Sequence, residues 1–287
     1  MKRLLNAIIP AFFLLAAVLV CPGCGDTTTD EQEMRQMLEE AASASMNAKT
    51  YTARMSMNME MDVTDETDNV KIDVLFNLDG TFDNANDKTY INVDGYMDMG
   101  LLGGKQELIG QVYIIDDYAY MKFQTAEAGD DWIKVSKNDE NLDLFNIQML
   151  QQEFEMLESP DNVEFIEYEE IDGKECAVID LIPNDEYLRE YASQQVNMSI
   201  ELENLDDITG IYESMNYRIW IETDSNYVRK ITMDVRIKFT EEQIELMEDF
   251  SGEIAAYVTG ILSFSGYNTP VSIIIPEEAE RAIDMTY

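Results

Sequence analysis

Strict alternation of apolar and polar residues is the clearest pattern in the chain, and it begins at Tyr51. Between Tyr51 and Val63, methionines occupy every second position from Met55 to Met61, with polar residues between them. Successive side chains of a β-strand point to opposite faces. The segment is therefore predicted to be a strand with one apolar and one polar face.

Further segments of this kind follow at short intervals and predict an antiparallel meander of about ten or eleven strands. They include Val70–Leu78, Thr89–Met99, Gln106–Ile115, Tyr118–Phe123, Val163–Ile171, Glu175–Ile182, Val228–Phe239, Ala255–Phe264 and Val271–Ile275. Tight turns between strands are predicted at the dipeptides beginning with Asp79, Asp116 and Asp172. After Asp79 the polar run 83–87 also fits a longer loop.

Other segments carry apolar residues at helical spacing. The first covers residues 30–48, where Met34, Leu38 and Ala41 recur among good helix formers. Three more predicted helices follow, at Asn141–Leu157, residues 185–195 and Thr240–Asp249, and a short C-terminal helix is predicted to begin at Pro276. Helices packed inside a curved sheet would cover its apolar face and leave an apolar cavity between them.

The N-terminal residues have the layout of a signal peptide. A short positive region precedes the apolar stretch Leu4–Val20, and a polar segment begins at Asp26. The remaining body has no Pro/Gly/Ser linker and no fixed-period repeat. We therefore expect residues 1–23 to be a signal peptide, residues 24–30 a tether and residues 31–287 a single domain.

Cys24 is the predicted lipidation site. It follows Gly23, as in the signal peptides of bacterial and archaeal lipoproteins, whereas Cys21 follows Val20, a poor residue for that position. Two or more acyl chains on Cys24 would anchor the protein stably in a bilayer. Lipidation of Cys21 and an uncleaved single-span anchor are the alternatives, and each places the body on the extracytoplasmic face of the cell membrane.

The charge of the chain is strongly acidic and changes the list of expected partners. Acidic residues outnumber basic ones 58 to 19, for a net charge of −39 at pH 7. Nucleic acid is excluded because neutralising phosphates requires clustered Lys and Arg. The charge also opposes contact of the body with an anionic membrane and makes copies repel one another, so a monomer is expected. A salty or acidic habitat and an ordinary acidic extracytoplasmic domain both fit.

Catalytic and metal-binding residue types are scarce. Histidine is absent, and Cys176 is the single cysteine of the body, in an apolar run typical of a buried residue. These facts exclude His-based triads and the usual zinc sites. Acidic clusters such as 83–87 lack the spacing of a calcium loop and fit solvated loops better. A non-local carboxylate pair for glycoside hydrolysis stays open, but we expect no enzyme, no cofactor and no metal.

The order of elements resembles extracytoplasmic lipoproteins of the LolA/LolB-like superfamily, which includes the mycobacterial lipid-transfer lipoproteins. The residues that carry the resemblance are spread along the chain: the helix 30–48 leading into Tyr51–Val63, the hairpin Tyr113–Met121 followed by Asp131–Lys134, Ile219–Glu222 with Tyr227–Lys230, and Pro270–Ala279. The resemblance implies an α+β fold, a strongly curved antiparallel β half-barrel with helices packed on its concave face. It also implies a cavity for acyl chains or other hydrophobic cargo, and residues 240–253 are an insertion relative to it.

The methionine strand is the sharpest local candidate for a cavity wall, because flexible thioethers adapt to varied apolar ligands. The candidate lining residues are Met55, Met57, Met59, Met61, Ile72, Val74, Phe76, Trp132 and Trp220. Ordinary core packing is the alternative for the methionines, and Cu(I) held by thioethers is a remote one.

The sequence thus predicts a membrane-anchored extracytoplasmic lipoprotein that binds, and in one version carries, a hydrophobic ligand such as a lipid or acyl chain. The alternative is a cell-surface interaction, sensory or scaffold domain with a filled core and no cargo.

Overall fold

A computed structural model describes residues 29–65, 69–100, 103–124, 131–137, 154–184, 212–239 and 252–286. Within these ranges one α-helix, α1 (Thr29–Met46), precedes twelve strands and a 3-10 helix at Glu277–Arg281. The predicted helices 185–195 and Thr240–Asp249, most of Asn141–Leu157 and the N-terminal segment with Cys24 lie outside the described residues.

The strand bounds follow the alternating segments closely. They are β1 (Thr50–Asp65), β2 (Asn69–Asp83), β3 (Lys88–Asp98), β4 (Lys105–Ile115), β5 (Tyr118–Gln124), β6 (Ile133–Ser136), β7 (Asn162–Ile171), β8 (Lys174–Ile182), β9 (Tyr212–Glu222), β10 (Val228–Lys238), β11 (Gly252–Ser265) and β12 (Ile283–Asp284). The predicted number was slightly too low, and the two-residue β12 carried no pattern that could reveal it.

All twelve strands form one open sheet in the order β12-β6-β5-β4-β3-β2-β1-β11-β10-β9-β8-β7. Strands β1 to β6 form a first meander, and strands β7 to β11 form a second one. The two meanders join where β1 pairs antiparallel with β11. The β12–β6 pair is parallel. The protein is therefore mostly β, with a curved open sheet and a helix, which agrees with the expected α+β half-barrel.

The face of the sheet that carries the main hydrophobic core is called the inner face here, and the opposite side the outer face. Residues of β1 with odd numbers from Tyr51 to Val63 point inward, as the alternation predicts. Even-numbered residues point outward, where Arg54 Nε donates to Asp79 at 2.8 Å. Burial of the inner face drives the assembly of the sheet, and solvated ion pairs decorate its outer face.

Two local predictions were wrong. Asp79 and Gly80 do not form a turn, because β2 continues to Asp83 and the chain turns over residues 84–87. The missing side chain of Gly80 instead leaves room for the ring of Phe82, whose Cε2 would lie 2.6 Å from an added Cβ. Val271–Ile275 is not a strand, since residues 269–276 have no regular secondary structure. Pro270 and Pro276 bracket that segment and remove backbone donors.

Helix α1 packs on the second meander. Leu38, Ala41 and Ala42 are fully buried in the main core. Near the start of the helix, the Arg35 guanidinium donates to the carbonyl of Asp161, just before β7, at 2.9 Å. Near its end, the Ser45 hydroxyl accepts a hydrogen bond of 3.0 Å from the Val228 amide at the start of β10. These contacts fix both ends of the helix to the same half of the sheet.

The C-terminal segment, residues 266–286, is attached at both sides of the first meander. The Asn268 amide donates to the Thr50 carbonyl at the start of β1, at 2.8 Å. At the other side, the Ile283 and Met285 amides donate to the carbonyls of Trp132 and Lys134, each at 2.8 Å. The chain therefore returns from the centre of the sheet to its β6 side.

Candidate functional site

Apolar residues on the inner face of the first meander are only half buried, and they form the candidate site. We call this group the inner band: Met55, Met57, Phe76, Met97, Leu108 and Phe123. Each packs against the main core on one side and keeps part of its surface exposed. Partly exposed apolar groups in a contiguous set mark a surface that can bind an apolar molecule.

Strand register brings the inner band together. Met57 lies opposite Phe76 on β2, and Phe76 lies opposite Gly95 on β3. Gly95 in turn lies opposite Leu108 on β4, so these residues form one row across the sheet. Directly opposed residues are about 5 Å apart and share a face. The row thus places Met57, Phe76 and Leu108 on a common surface.

Glycines shape the floor of this surface. A Cβ added to Gly95 would lie 2.2 Å from the Leu75 carbonyl oxygen, so the backbones of β2 and β3 approach too closely for any side chain there. Gly260 on β11 pairs with Met57, and an added Cβ would lie 2.5 Å from Cε of Met233. Met233 from β10 therefore lies over Gly260 and extends the apolar surface at the border of the inner band. Glycine within a strand commonly marks such close approach or a bend.

Charge is missing from the inner face of these strands. No charged residue occupies an inward position of β1 between Tyr51 and Val63. The same holds for the described residues of β2 to β5 that continue these rows across the sheet. Three inward residues have polar groups: Tyr51, Thr89 and Gln106. The Thr89 hydroxyl has no hydrogen-bond partner among the described residues. Such a surface offers hydrocarbon contacts, worth about 0.8 kcal/mol per buried CH₂, and no ion pair.

The structure divides the candidate residues of the methionine strand and its neighbour into two groups. Met55, Met57 and Phe76 belong to the inner band. The remaining four are buried in the core, with at most 5% of their surface exposed: Met59, Met61, Ile72 and Val74. Register pairs Met59 with Val74 and Met61 with Ile72, so one end of the stripe is packed while the other is partly open.

Trp220 lies on the outer face. It packs with Cys176 and Val178 in a small separate cluster, and its indole Nε1 donates to Glu169 at 2.7 Å. The Lys230 ammonium lies 4.0 Å from the ring centroid, in cation–π geometry. A tryptophan held by these contacts faces away from the inner band.

Trp132 also lies away from the inner band. Its ring contacts Tyr113 with centroids 5.8 Å apart, and Tyr113 contacts Tyr90 at 4.6 Å. Tyr113 alternates with the inward-facing Val112 and Ile114, so this aromatic group lies on the outer side.

Four residues of the surface were not among the candidates from sequence: Met97, Leu108, Phe123 and Met233. Each occupies an inward position in an alternating segment. Alternation could have indicated their face, but only the register shows which rows they share: Leu108 lies in the row of Met57 and Phe76, and Phe123 in the row of Met55.

The polar residues away from this surface form structural contacts. Glu222 is 5% exposed; it accepts a hydrogen bond from the Lys174 ammonium at 2.8 Å, and Arg229 Nη1 lies 3.8 Å away. Burial raises the pKa of the Cys176 thiol and thereby disfavours its reactive thiolate form. Within the described ranges no group of three or more Cys, Asp or Glu side chains is placed to hold a metal ion. No helix in that part of the chain is long and apolar enough to cross a membrane.

Comparisons with known proteins find similarity in structure alone. No family model and no curated protein sequence matches the chain. Among solved structures, LprF from Mycobacterium bovis is 13% identical with a TM-score of 0.46, covering 88% of this chain and 99% of its own. Lipoprotein LppX from Mycobacterium tuberculosis is 14% identical with a TM-score of 0.38, covering 85% of this chain and 100% of its own.

A LolA superfamily protein from Nitrosomonas europaea also matches, at 10% identity and a TM-score of 0.21, covering 83% of this chain and 94% of its own. The superfamily that the sequence resembles is thus named among the structural matches. None of these similarities assigns the chain a ligand.

Proposed function

We propose that the chain is an extracytoplasmic lipoprotein that binds a hydrophobic ligand, such as a lipid acyl chain, on the inner band. The observation that carries the proposal is the partial exposure of Met57, Phe76 and Leu108 in one uncharged row. Burying the exposed parts of such residues against hydrocarbon is favourable without any directional contact. Binding rather than catalysis fits the inward positions of β1 between Tyr51 and Val63 and of the described strands β2 to β5, which carry no carboxylate, amine or thiol.

The chemistry of the surface limits the part of the ligand that is bound. An isolated charge moved from water to an apolar surface pays a large desolvation cost. The inward positions around the inner band offer no opposite charge to offset that cost. The bound part of the ligand is therefore neutral hydrocarbon, and any charged headgroup stays in water.

The direct experiment is to purify the chain from residue 25 onward, extract it with organic solvent and analyse the extract by mass spectrometry. A lipid recovered at close to one per protein supports the proposal, as does saturable uptake of a fluorescent fatty acid. A clean extract together with no uptake would instead support an interaction or scaffold domain without cargo.

A matched pair of variants locates the ligand. Met57→Asp introduces a charge into the inner band, whereas Ser56→Asp introduces the same charge at the exposed outward position beside it. We expect Met57→Asp to weaken fatty-acid binding about tenfold or more, and Ser56→Asp to leave it unchanged. Both variants are first checked for a native circular dichroism spectrum. Equal binding by the two folded variants would remove the inner band as the site.

Anchoring through Cys24 is a separate part of the proposal. It is supported by the signal-peptide layout and by Gly23 before the cysteine. Cys24→Ser is expected to release the protein from membranes, and Cys21→Ser is the matched control. Release by Cys21→Ser alone would move the lipidation site, and release by neither would favour an uncleaved anchor.

A further inference from the structure

Strand β7 forms one border of the sheet. Among the described strands it pairs with β8 alone, along Asn162–Ile171, with a bulge between Phe165 and Glu167 and regular pairing from Glu167 to Ile171. An edge of this length presents a row of backbone N–H and C=O groups that can pair with another extended chain. β7 is also far longer than β12, the two-residue strand at the other border.

The turn that joins β7 to β8 shows which backbone groups of β7 point to its open edge. Asp172 and Gly173 have φ angles of 51° and 78°, as a two-residue type I′ turn requires. In such a hairpin the residues that flank the turn, Ile171 and Lys174, exchange backbone hydrogen bonds. Since the pattern alternates, the N–H and C=O groups of Glu170 and Tyr168 point to the open edge.

Exposed aromatic rings stand on the same strand. Phe165 is 40% exposed and Tyr168 is 59% exposed, and their ring centroids lie 5.0 Å apart. Both are large hydrophobic residues that the fold leaves in water next to open backbone groups. Added strands obtain affinity from main-chain hydrogen bonds and specificity from side-chain contacts of this kind.

Charge on β7 decides between possible occupants. Its acidic residues are all exposed, and the strand has no Lys or Arg: Glu164, Glu167, Glu169 and Glu170. A second copy of the chain would bring its own glutamates against these, in a protein whose net charge is already −39. Like charges opposed across strands are destabilising, whereas opposite charges stabilise the pair. The edge therefore favours a basic strand and disfavours self-association.

We propose that β7 is a docking edge for an extended, basic segment of a partner protein, which adds to the sheet as a further strand and covers Phe165 and Tyr168. The docking edge is independent of the inner band, because β7 lies at the border of the second meander that is farthest from the first meander.

The test uses a synthetic peptide of alternating Lys and Val, with fluorescence anisotropy at physiological salt as the readout. Three comparison peptides separate the sources of binding: one with the same side chains but N-methylated at every residue, so that neither edge can donate, one with Glu in place of Lys, and one of scrambled order with proline inserted. Strand addition predicts binding by the parent peptide, and at least about tenfold weaker binding by all three others.

Variants of the protein then locate the site. Tyr168→Pro removes an amide on the open edge, where proline is tolerated, and Tyr168→Ala removes the ring alone. Glu170→Lys reverses a charge on β7, and Glu60→Lys makes the same change on the outer face of β1. Tyr168→Pro should weaken binding more than Tyr168→Ala, and Glu170→Lys more than Glu60→Lys. Amides of Tyr168 and Glu170 should also gain protection from hydrogen exchange.

Several outcomes overturn the proposal. Equal losses from the two charge reversals would show attraction to the net charge alone. Undiminished binding by the N-methylated peptide, or equal effects of the proline and alanine variants, would exclude backbone pairing. Dimers in sedimentation that Tyr168→Pro abolishes would show that the edge takes a second copy instead.

Discussion

The two meanders have similar strands and the same alternation, yet their inner faces differ in burial. In the second meander most inward residues are almost completely covered, and the exceptions are Met233 on β10 and Phe165 and Tyr168 on the border strand β7. The covered residues, each with at most 6% of its surface exposed, are Val163, Ile179, Leu181, Tyr217, Ile219, Ile221, Ile231 and Val235. In the first meander the inner band stays half exposed. Apolar composition alone therefore does not decide whether a sheet face becomes core.

The difference follows from where the covering elements attach. α1 is bonded at both ends to the second meander, through Arg35 and Ser45. Phe154, buried just before β7, contacts Phe264 of β11 with ring centroids 4.9 Å apart. Among the described residues, contacts of this kind cover the second meander as far as β11. Covering elements that attach to one side of a sheet therefore leave its two halves unequally packed.

The strongest test of this comparison removes side chains from each half. Ile219→Ala, in the packed second meander, is expected to lower the free energy of unfolding by about 3 to 4 kcal/mol, because it leaves a closed cavity. Leu108→Ala, in the inner band, should cost about 1 kcal/mol, since its side chain already meets solvent. Urea unfolding followed by tryptophan fluorescence measures both. Equal losses would mean that the first meander is packed as tightly as the second.

A second test concerns the close approach of strands in the first meander. Gly95→Ala places a methyl group against the Leu75 carbonyl, so β2 and β3 must shift, at an expected cost of about 2 to 3 kcal/mol. Gly104→Ala is the control: its φ is 66° and no atom lies within 4 Å of an added Cβ, so only backbone strain of about 1 kcal/mol is expected. Thermal denaturation compares the two. A milder effect at Gly95 than at Gly104 would contradict the observed strand approach.

The smallest expected effect lies at the junction of the meanders. Burial raises the pKa of Tyr51 and of Tyr267 above the ordinary value of 10.0. The stabilising contribution of each neutral tyrosine is complete below pH 10 and declines as the pH rises further, by about 1.4 kcal/mol per pH unit at most. Tyr51→Phe should therefore reduce the loss of stability between pH 10 and 11, as measured by urea unfolding at each pH. An unchanged slope in Tyr51→Phe would show that this hydroxyl titrates in the same way in the folded and the unfolded chain.

Local patterns allowed most strands to be predicted, because burial of one face imposes a period of two. The methionines of β1 and the turn at Asp172 are examples of signals that lie within a few residues. The junction of β1 with β11 could not be predicted in this way, since it pairs residues from opposite ends of the chain. Register across such a junction depends on the whole sheet.

The candidate site shows the same division between local and long-range information. Trp220 stands between Ile219 and Ile221 and shares its parity with Arg218 and Glu222, so alternation alone could have placed it on the polar outer face. By contrast, nothing local distinguishes Met57, which is half exposed, from Met59, which is buried. That distinction depends on how far the covering elements reach.

The attachment of the C-terminal segment at both sides of the first meander has a consequence for synthesis. Strand β1 is among the first parts of the body to be made, but its partner β11 and the segment that meets Thr50, Trp132 and Lys134 are among the last. The first meander is therefore completed only when the final residues emerge. A chain that crosses a membrane in an extended state benefits from this delay, because premature closure of the fold would obstruct its passage.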